Sequence, residues 1–140
     1  MNFAFRHFPS SFALSDIQRL RQQGHDIRAA IASKTDEPKW ARICMKHLVI
    51  GEVSDNDDET FTLHDCFEPN LVEISYGSKV QHIQRLHKKT GIPYEDICFF
   101  DNEHWNVKDV SKGLPDVKCY YTPNGMTKQV WEQAKLHYGL

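Results

Sequence analysis

The stretch Thr90-Gly91-Ile92-Pro93-Tyr94-Glu95-Asp96-Ile97-Cys98-Phe99-Phe100-Asp101-Asn102-Glu103 decides the fold. A glycine–proline turn leads into the apolar run Ile97 to Phe100, which stops at a carboxylate. An apolar run without alternation fits a strand covered on both faces, as in a parallel sheet. On its N-terminal side a helix is expected from Ser78, carrying Val80, Ile83 and Leu86 and stopping at Gly91. On its C-terminal side residues 103–111 read as a short helix and residues 117–121 as a strand. Residues 126–138 read as a last helix with Val130, Trp131 and Ala134 facing inward.

The first half repeats this alternation. Ser15-Asp16-Ile17-Gln18 is a capping box, a hydroxyl followed three residues later by an amide. Ile17 and Leu20 repeat at helical spacing, and Gly24 supplies the stop. Residues 27–32 read as a short buried strand. Ser33-Lys34-Thr35-Asp36-Glu37-Pro38 is helix-start chemistry, with Asp36 or Thr35 as the cap and proline early. The helix that follows is expected to set Trp40, Ile43, Cys44 and His47 on one face. Residues 71–74 carry a weak strand signal. The acidic run Asp55-Asn56-Asp57-Asp58-Glu59 is expected to be a solvated surface loop. A calcium loop would need glycine where Thr60 stands and glutamate where Cys66 stands.

Strands separated by helices make β-α-β units and an α/β fold with a parallel sheet. Ligands in such folds bind beyond the carboxyl ends of the strands. Three stations lie there: Ser33, the Gly77-Ser78-Lys79 turn, and Asp101-Asn102-Glu103. A hydroxyl of Ser33 or Thr35 at a helix N-terminus suits a phosphate oxygen. Lys79 supplies a fixed positive charge. A carboxylate and an amide oxygen supply hard ligands for Mg²⁺. Each has a plainer alternative: Ser33 and Asp101 as helix caps, and Lys79 as a solvated side chain.

Composition narrows the field. The chain has 140 residues, the length of one domain, and a net charge of −2. That balance gives no electrostatic reason to bind nucleic acid or an anionic membrane surface. No apolar run is long enough to span a bilayer. The cysteines Cys44, Cys66, Cys98 and Cys119 form no C-x-x-C pair, and they are expected to be reduced, mostly buried thiols of a cytoplasmic protein. The spacing of His47, His64 and Cys66 matches no zinc module. Residues 1–14 are read as an N-terminal arm and residues 15–140 as the domain.

Gly77-Ser78-Lys79, Thr90-Gly91-Ile92-Pro93-Tyr94-Glu95 and Phe99-Phe100-Asp101-Asn102-Glu103, with Asn106 and Asp109-Val110-Ser111, resemble the eukaryotic magnesium-dependent phosphatases of the haloacid dehalogenase superfamily. Ala32-Ser33-Lys34-Thr35 resembles that family's second motif, and Asn124-Gly125-Met126 a late turn of it. The resemblance implies a Rossmann-like parallel sheet with flanking helices and a minimal cap. It implies Mg²⁺-dependent hydrolysis of small phosphomonoesters, aryl or sugar phosphates or phosphotyrosine, through a phospho-aspartate. By resemblance Ser33, Lys34, Thr35 and Lys79 would bind phosphate. Ser33, Lys79 and Asp101 would be the catalytic set, and Asn102 with Asp101 would hold Mg²⁺. The family more often has aspartate where Asn102 stands.

The family's first motif, Asp-x-Asp after an apolar strand, has no match. Asp16 falls inside a helix, Asp26 precedes a strand, and Asn56-Asp57-Asp58 has asparagine in place of the nucleophile. The expectation is therefore a chain that begins downstream of the first, central strand, an N-terminally incomplete form that is inactive as given. The alternative is a non-catalytic phosphate-binding or interaction module. The slot left by the strand is expected to be filled by residues 2–8 or to remain a defect.

Overall fold

The computed structural model describes residues 11–54 and 57–140. Expectations placed on residues 2–8, and on Asp55 and Asn56, lie outside the described residues.

Helix α1 spans Ser11–Gln22 and starts ahead of the expected cap, so Ser15 sits inside it. Ala13 and Leu14 are buried, and their packing carries the helix past the capping signal. Gly24 turns the chain with φ +93°. Strand β1 is Ile31–Ser33, shorter than the expected 27–32.

Helix α2, Pro38–His47, has proline in its first turn, but Glu37 rather than Asp36 or Thr35 flanks it as the cap. The Thr35 hydroxyl instead accepts from the Glu37 amide at 3.0 Å, closing the turn before the helix. The face that carries Trp40, Ile43, Cys44 and His47 is the exposed one. Trp40 is 64% exposed and Ile43 46%, while Met45 is buried. Ala41, Met45 and Leu48 form the packed stripe, against a core that includes Leu63, Phe67 and Val72. Arg42 donates to the Val72 carbonyl at 3.0 Å, which fixes the rotation of the helix.

Strands β2, Val49–Ser54, and β3, Asp57–Thr62, form an antiparallel hairpin. The acidic residues Asp57, Asp58 and Glu59 are thus strand residues, not a surface loop. An antiparallel pair can keep one face in water, so acidic residues do not forbid it.

Strand β4, Val72–Ile74, runs parallel to β1, with Ser33 opposite Ile74. Helix α3, Lys79–Thr90, starts at a capping box in which Ser78 accepts from the Gln81 amide and the Gln81 side chain accepts from the Ser78 amide. Ile83 and Leu86 are buried, and so are Lys79 and His82. Strand β5, Cys98–Asp101, precedes helix α4, His104–Gly113. Strand β6, Lys118–Tyr121, lies parallel to β5, with Asp101 opposite Tyr121. Helix α5, Lys128–His137, is capped by Thr127 and buries Trp131 and Ala134.

The result is an α/β fold in which, among the described residues, the parallel strands come in two pairs, β4–β1 and β5–β6. A cavity of about 700 Å³ lies between them, with Ala32 on one side and Phe99 and Phe100 on the other. All four cysteines are free: Cys66 is buried, Cys98 and Cys119 are half-buried, and Cys44 is exposed. Burial pushes the Cys98 thiol up to about 12 and the Cys66 thiol up to about 11. Among the described residues no helix is long and apolar enough to cross a membrane.

Candidate functional site

Each site residue is delivered by a strand end. Lys79 opens α3 just after β4. Gly77, with φ +123°, makes the sharp turn between them. A side chain there would meet the Gln81 amide oxygen at 2.7 Å and disturb the cap. Lys79 is 3% exposed, and its ammonium donates to the Ala32 carbonyl at 2.5 Å. It is thereby fastened to the end of β1, beside Ser33.

Asp101 ends β5 and is 1% exposed. Its Oδ1 accepts from the Glu103 amide at 2.8 Å, and its Oδ2 from the Asn106 side chain at 3.1 Å. The Lys79 ammonium stands 3.7 Å from Asp101 Oδ2. Burial lowers the Lys79 pKa, and the Asp101 carboxylate beside it opposes that fall. Lysine charges shift this way when water is removed from them. Lys34 and Glu103 are also near enough to act on this ammonium.

Lys79, Asp101 and the end of β1 are thus brought together where the parallel strands finish. Ser33 is half-buried at that edge, and its carbonyl accepts from the Ser75 amide at 3.1 Å, locking β1 to β4. Lys34 is exposed, and the Thr35 hydroxyl is engaged by its own turn. Asn102 Oδ1 is buried and, among the described residues, has no hydrogen-bond partner. Buried acceptors are ordinarily met by a donor, a water or an ion.

Two residues escaped the sequence reading. His82 is fully buried one turn after Lys79, with Nε2 3.2 Å from the Ser75 carbonyl. Burial, followed by the charges of Lys79 and Arg85, lowers its pKa, which keeps the imidazole neutral. Its position three residues after Lys79, beside Ile83 and before Leu86, is the signal that places it on the buried face. Glu73 on β4 is held by Arg85 Nε at 2.9 Å and by Lys89. Nothing in the local sequence around Glu73 announces that pairing.

The first aspartate of the chain is spoken for elsewhere. Asp16 accepts from Trp131 Nε1 at 2.8 Å and pairs with Lys135 at 2.9 Å and with Arg19. Burial pushes its carboxyl up, but those hydrogen bonds outweigh burial and hold it at about 2. His47, His64 and Cys66 are not gathered either. Among the described residues no three His, Cys, Asp or Glu side chains are placed to hold a metal.

Parallel strands joined through helices, with Ser33, Lys79 and Asp101 at their carboxyl edge, make a Rossmann-like α/β core of the haloacid dehalogenase kind. The family model described as Acid Phosphatase matches residues 4–138, and the chain belongs to that family. It is 48% identical over 118 residues to human Magnesium-dependent phosphatase 1, covering 84% of this chain and 56% of the relative. It is 26% identical over 95 residues to a HAD-like hydrolase superfamily protein of Schizosaccharomyces pombe, covering 64% of this chain and 48% of that protein. The chain therefore spans about half the length of the curated relatives it matches.

Proposed function

We propose that this chain carries the phosphate-binding and metal-binding side of a magnesium-dependent phosphomonoester phosphatase. The observation that carries the reading is the buried Lys79 ammonium, set 3.7 Å from Asp101 where two pairs of parallel strands end. A cation held there, with water excluded, attracts an anion more strongly than one in solvent. Ser33 and the Lys34–Thr35 turn line the approach to the same edge. The substrate class is a small phosphomonoester, an aryl or sugar phosphate or a phosphotyrosine.

Mg²⁺ fits this donor set in one respect. Mg²⁺ takes one or two protein oxygens and keeps waters and phosphate oxygens for the rest. Asn102 Oδ1, buried without a donor, supplies one such oxygen, and Asp101 is the neighbouring carboxylate. When bound, the ion would offset charge on the phosphoryl oxygens. Asn106 and the Glu103 amide orient the Asp101 carboxylate whether or not an ion is present.

Binding without turnover is the reading we favour for the 140-residue chain. No Asp-x-Asp follows an apolar strand in it, and the Asp16 carboxylate is engaged by Trp131, Lys135 and Arg19. Covalent catalysis needs a nucleophile at the site. Four free thiols fit a reducing cytoplasm.

Calorimetric titration with inorganic phosphate, with and without Mg²⁺, tests the reading. Binding should strengthen with Mg²⁺ and weaken roughly tenfold or more in Lys79→Met, the loss of one charge-assisted contact. Equal binding by both proteins would end it. Hydrolysis of p-nitrophenyl phosphate that is abolished by EDTA and by Asp101→Ala would overturn the non-catalytic form of it.

A further inference from the structure

We propose that His82 is a positioning residue for the strand-end site: its imidazole clamps Ser75 and thereby sets Ser33 and Lys79 against each other. The inference rests on the function proposed above, in which those two residues meet phosphate.

The turn from β4 to α3 has little of its own to hold it. Ser75, Tyr76, Gly77 and Ser78 contribute no buried side chain, and Tyr76 is 69% exposed. Yet this turn has to place a buried ammonium. His82, 0% exposed, supplies the hold. A helical side chain leans over the turn N-terminal to its own Cα. From the fourth residue of α3 the ring therefore reaches back to Ser75. Its Nε2 stands 3.2 Å from the Ser75 carbonyl oxygen and 3.4 Å from the hydroxyl.

Ser75 is where the two stations join. Its amide donates to the Ser33 carbonyl at 3.1 Å, which anchors the end of β1. Its hydroxyl accepts from Arg85 Nη2 at 3.0 Å. From Ser75 the chain turns into α3 at Lys79, whose ammonium returns to the Ala32 carbonyl. A closed circuit results: His82 to Ser75, Ser75 to Ser33, Ala32 to Lys79, and one helical turn back to His82. A shift of Ser75 moves Ser33 directly and Lys79 through the turn.

The same contacts place the proton. A carbonyl oxygen only accepts, so Nε2 carries the hydrogen and Nδ1 is bare. Nδ1 is buried and meets no donor among the described residues. Burial, then the charges of Lys79 and Arg85, hold the ring's pKa down against backbone contacts at Tyr76 and Ser75. A neutral ring that donates from Nε2 holds the turn without adding charge beside Lys79.

Three forms of the chain test the clamp: unmodified, His82→Gln and His82→Leu. Glutamine can return an N–H to the Ser75 carbonyl, whereas leucine fills space and donates nothing. Nitrogen spectra of the unmodified chain near neutral pH should show hydrogen on Nε2 and none on Nδ1. Hydrogen on Nδ1 alone would overturn the proposal, and this measurement needs no variant to fold. Amide exchange gives the second readout. In His82→Leu the Ser75 amide should speed up roughly tenfold more than that of Phe99, because the opening is local. In His82→Gln the two should change alike. Equal acceleration of both amides in His82→Leu would mean that His82 only packs, and would overturn the proposal. So would local opening in His82→Gln as large as in His82→Leu. The affinity for inorganic phosphate with Mg²⁺ should fall roughly fivefold or more in His82→Leu, the size of one lost hydrogen bond, and stay near the unmodified value in His82→Gln. Unchanged affinity in His82→Leu would overturn the proposal. If the unmodified chain binds no phosphate, the function proposed above fails, and the proton position and exchange rates still decide the clamp.

Discussion

Glu73 on β4 and Asp101 on β5 are both buried carboxylates, 7% and 1% exposed, yet they are held in opposite ways. Glu73 meets two cations directly, Arg85 and Lys89, and each of those reaches solvent with about two-fifths of its side chain exposed. Its charge is closed off within the cluster. Asp101 is oriented by neutral donors, the Glu103 amide and Asn106, while its cation stands at 3.7 Å, wider than a hydrogen bond. That cation is itself fastened to a neutral carbonyl, Ala32. The first arrangement ties helix α3 to the sheet. The second keeps a buried ion pair at the strand ends.

The largest effect should follow from Asp101→Asn. The amide keeps the shape and can still accept from the Glu103 amide, but Lys79 loses its counter-charge. Breaking a buried pair costs about 3–5 kcal/mol. We expect about 3 kcal/mol, because a buried lysine can shed its proton and limit the penalty. The sign with pH follows. In the variant the folded-state pKa of Lys79 lies further below its unfolded value, so the unfolded chain binds more protons and stability rises with pH. Urea unfolding should show a smaller deficit at pH 9 than at pH 6. A deficit that does not change with pH would mean that Lys79 is not the group left stranded.

Asp16 extends the comparison to a third carboxylate, closed off like Glu73 by direct contacts with two cations. Its folded-state value of about 2 lies below the ordinary 3.8. A depressed acid contributes stability above its unfolded pKa and loses it as pH falls through the folded one. The contribution should therefore fade between about pH 4 and pH 2. Its size should be about 1–2 kcal/mol once solvent screening of Arg19 is allowed for. Asp16→Asn should lose that much at pH 7 and flatten the acid limb of the stability profile. Phosphate affinity should not change, in contrast to Lys79→Met.

Why some of this was legible in the sequence shows in a pair of capping signals. Ser15–Gln18 and Ser78–Gln81 have the same form, but only the second starts a helix. Gly77 at φ +123° turns the chain just ahead of the Ser78 cap, so α3 begins there. Helix α1 runs ahead of its signal because Ala13 and Leu14 pack into the core. The run Ile97–Phe100 was legible because an apolar strand ending at a carboxylate has few other readings. The face of α2 was not, because both candidate stripes contain large apolar residues. The sequence alone does not say that the core lies on the side of Met45 rather than Trp40. Acidic β3 was hidden because composition outvoted pairing. At the site, the positions of Lys79 and Asp101 follow from strand ends, which local signals mark. The partners of Glu73 and the burial of His82 depend on how α3 rotates against β4, which only tertiary packing fixes.

The smallest effect should come from Glu73→Gln, and it tests the comparison most directly. Burial raises the Glu73 pKa, but hydrogen bonds from Lys89 and Arg85 outweigh it, so the folded value lies below the ordinary one. Its stabilisation is therefore present above the unfolded carboxylate pKa and lost as pH falls through the folded value. When glutamine replaces it, Arg85 keeps its bond to the Ser75 hydroxyl at 3.0 Å, and Lys89 can turn to water. Pairs whose cations are this exposed contribute about 0–1 kcal/mol. A double-mutant cycle of Glu73→Gln with Lys89→Met should give a coupling energy in that range, smaller in high salt. A coupling as large as the Asp101→Asn deficit would erase the difference between the two carboxylates. The burial of Asp101 and Lys79 would then be ordinary scaffolding, and their place at the strand ends would carry no functional weight.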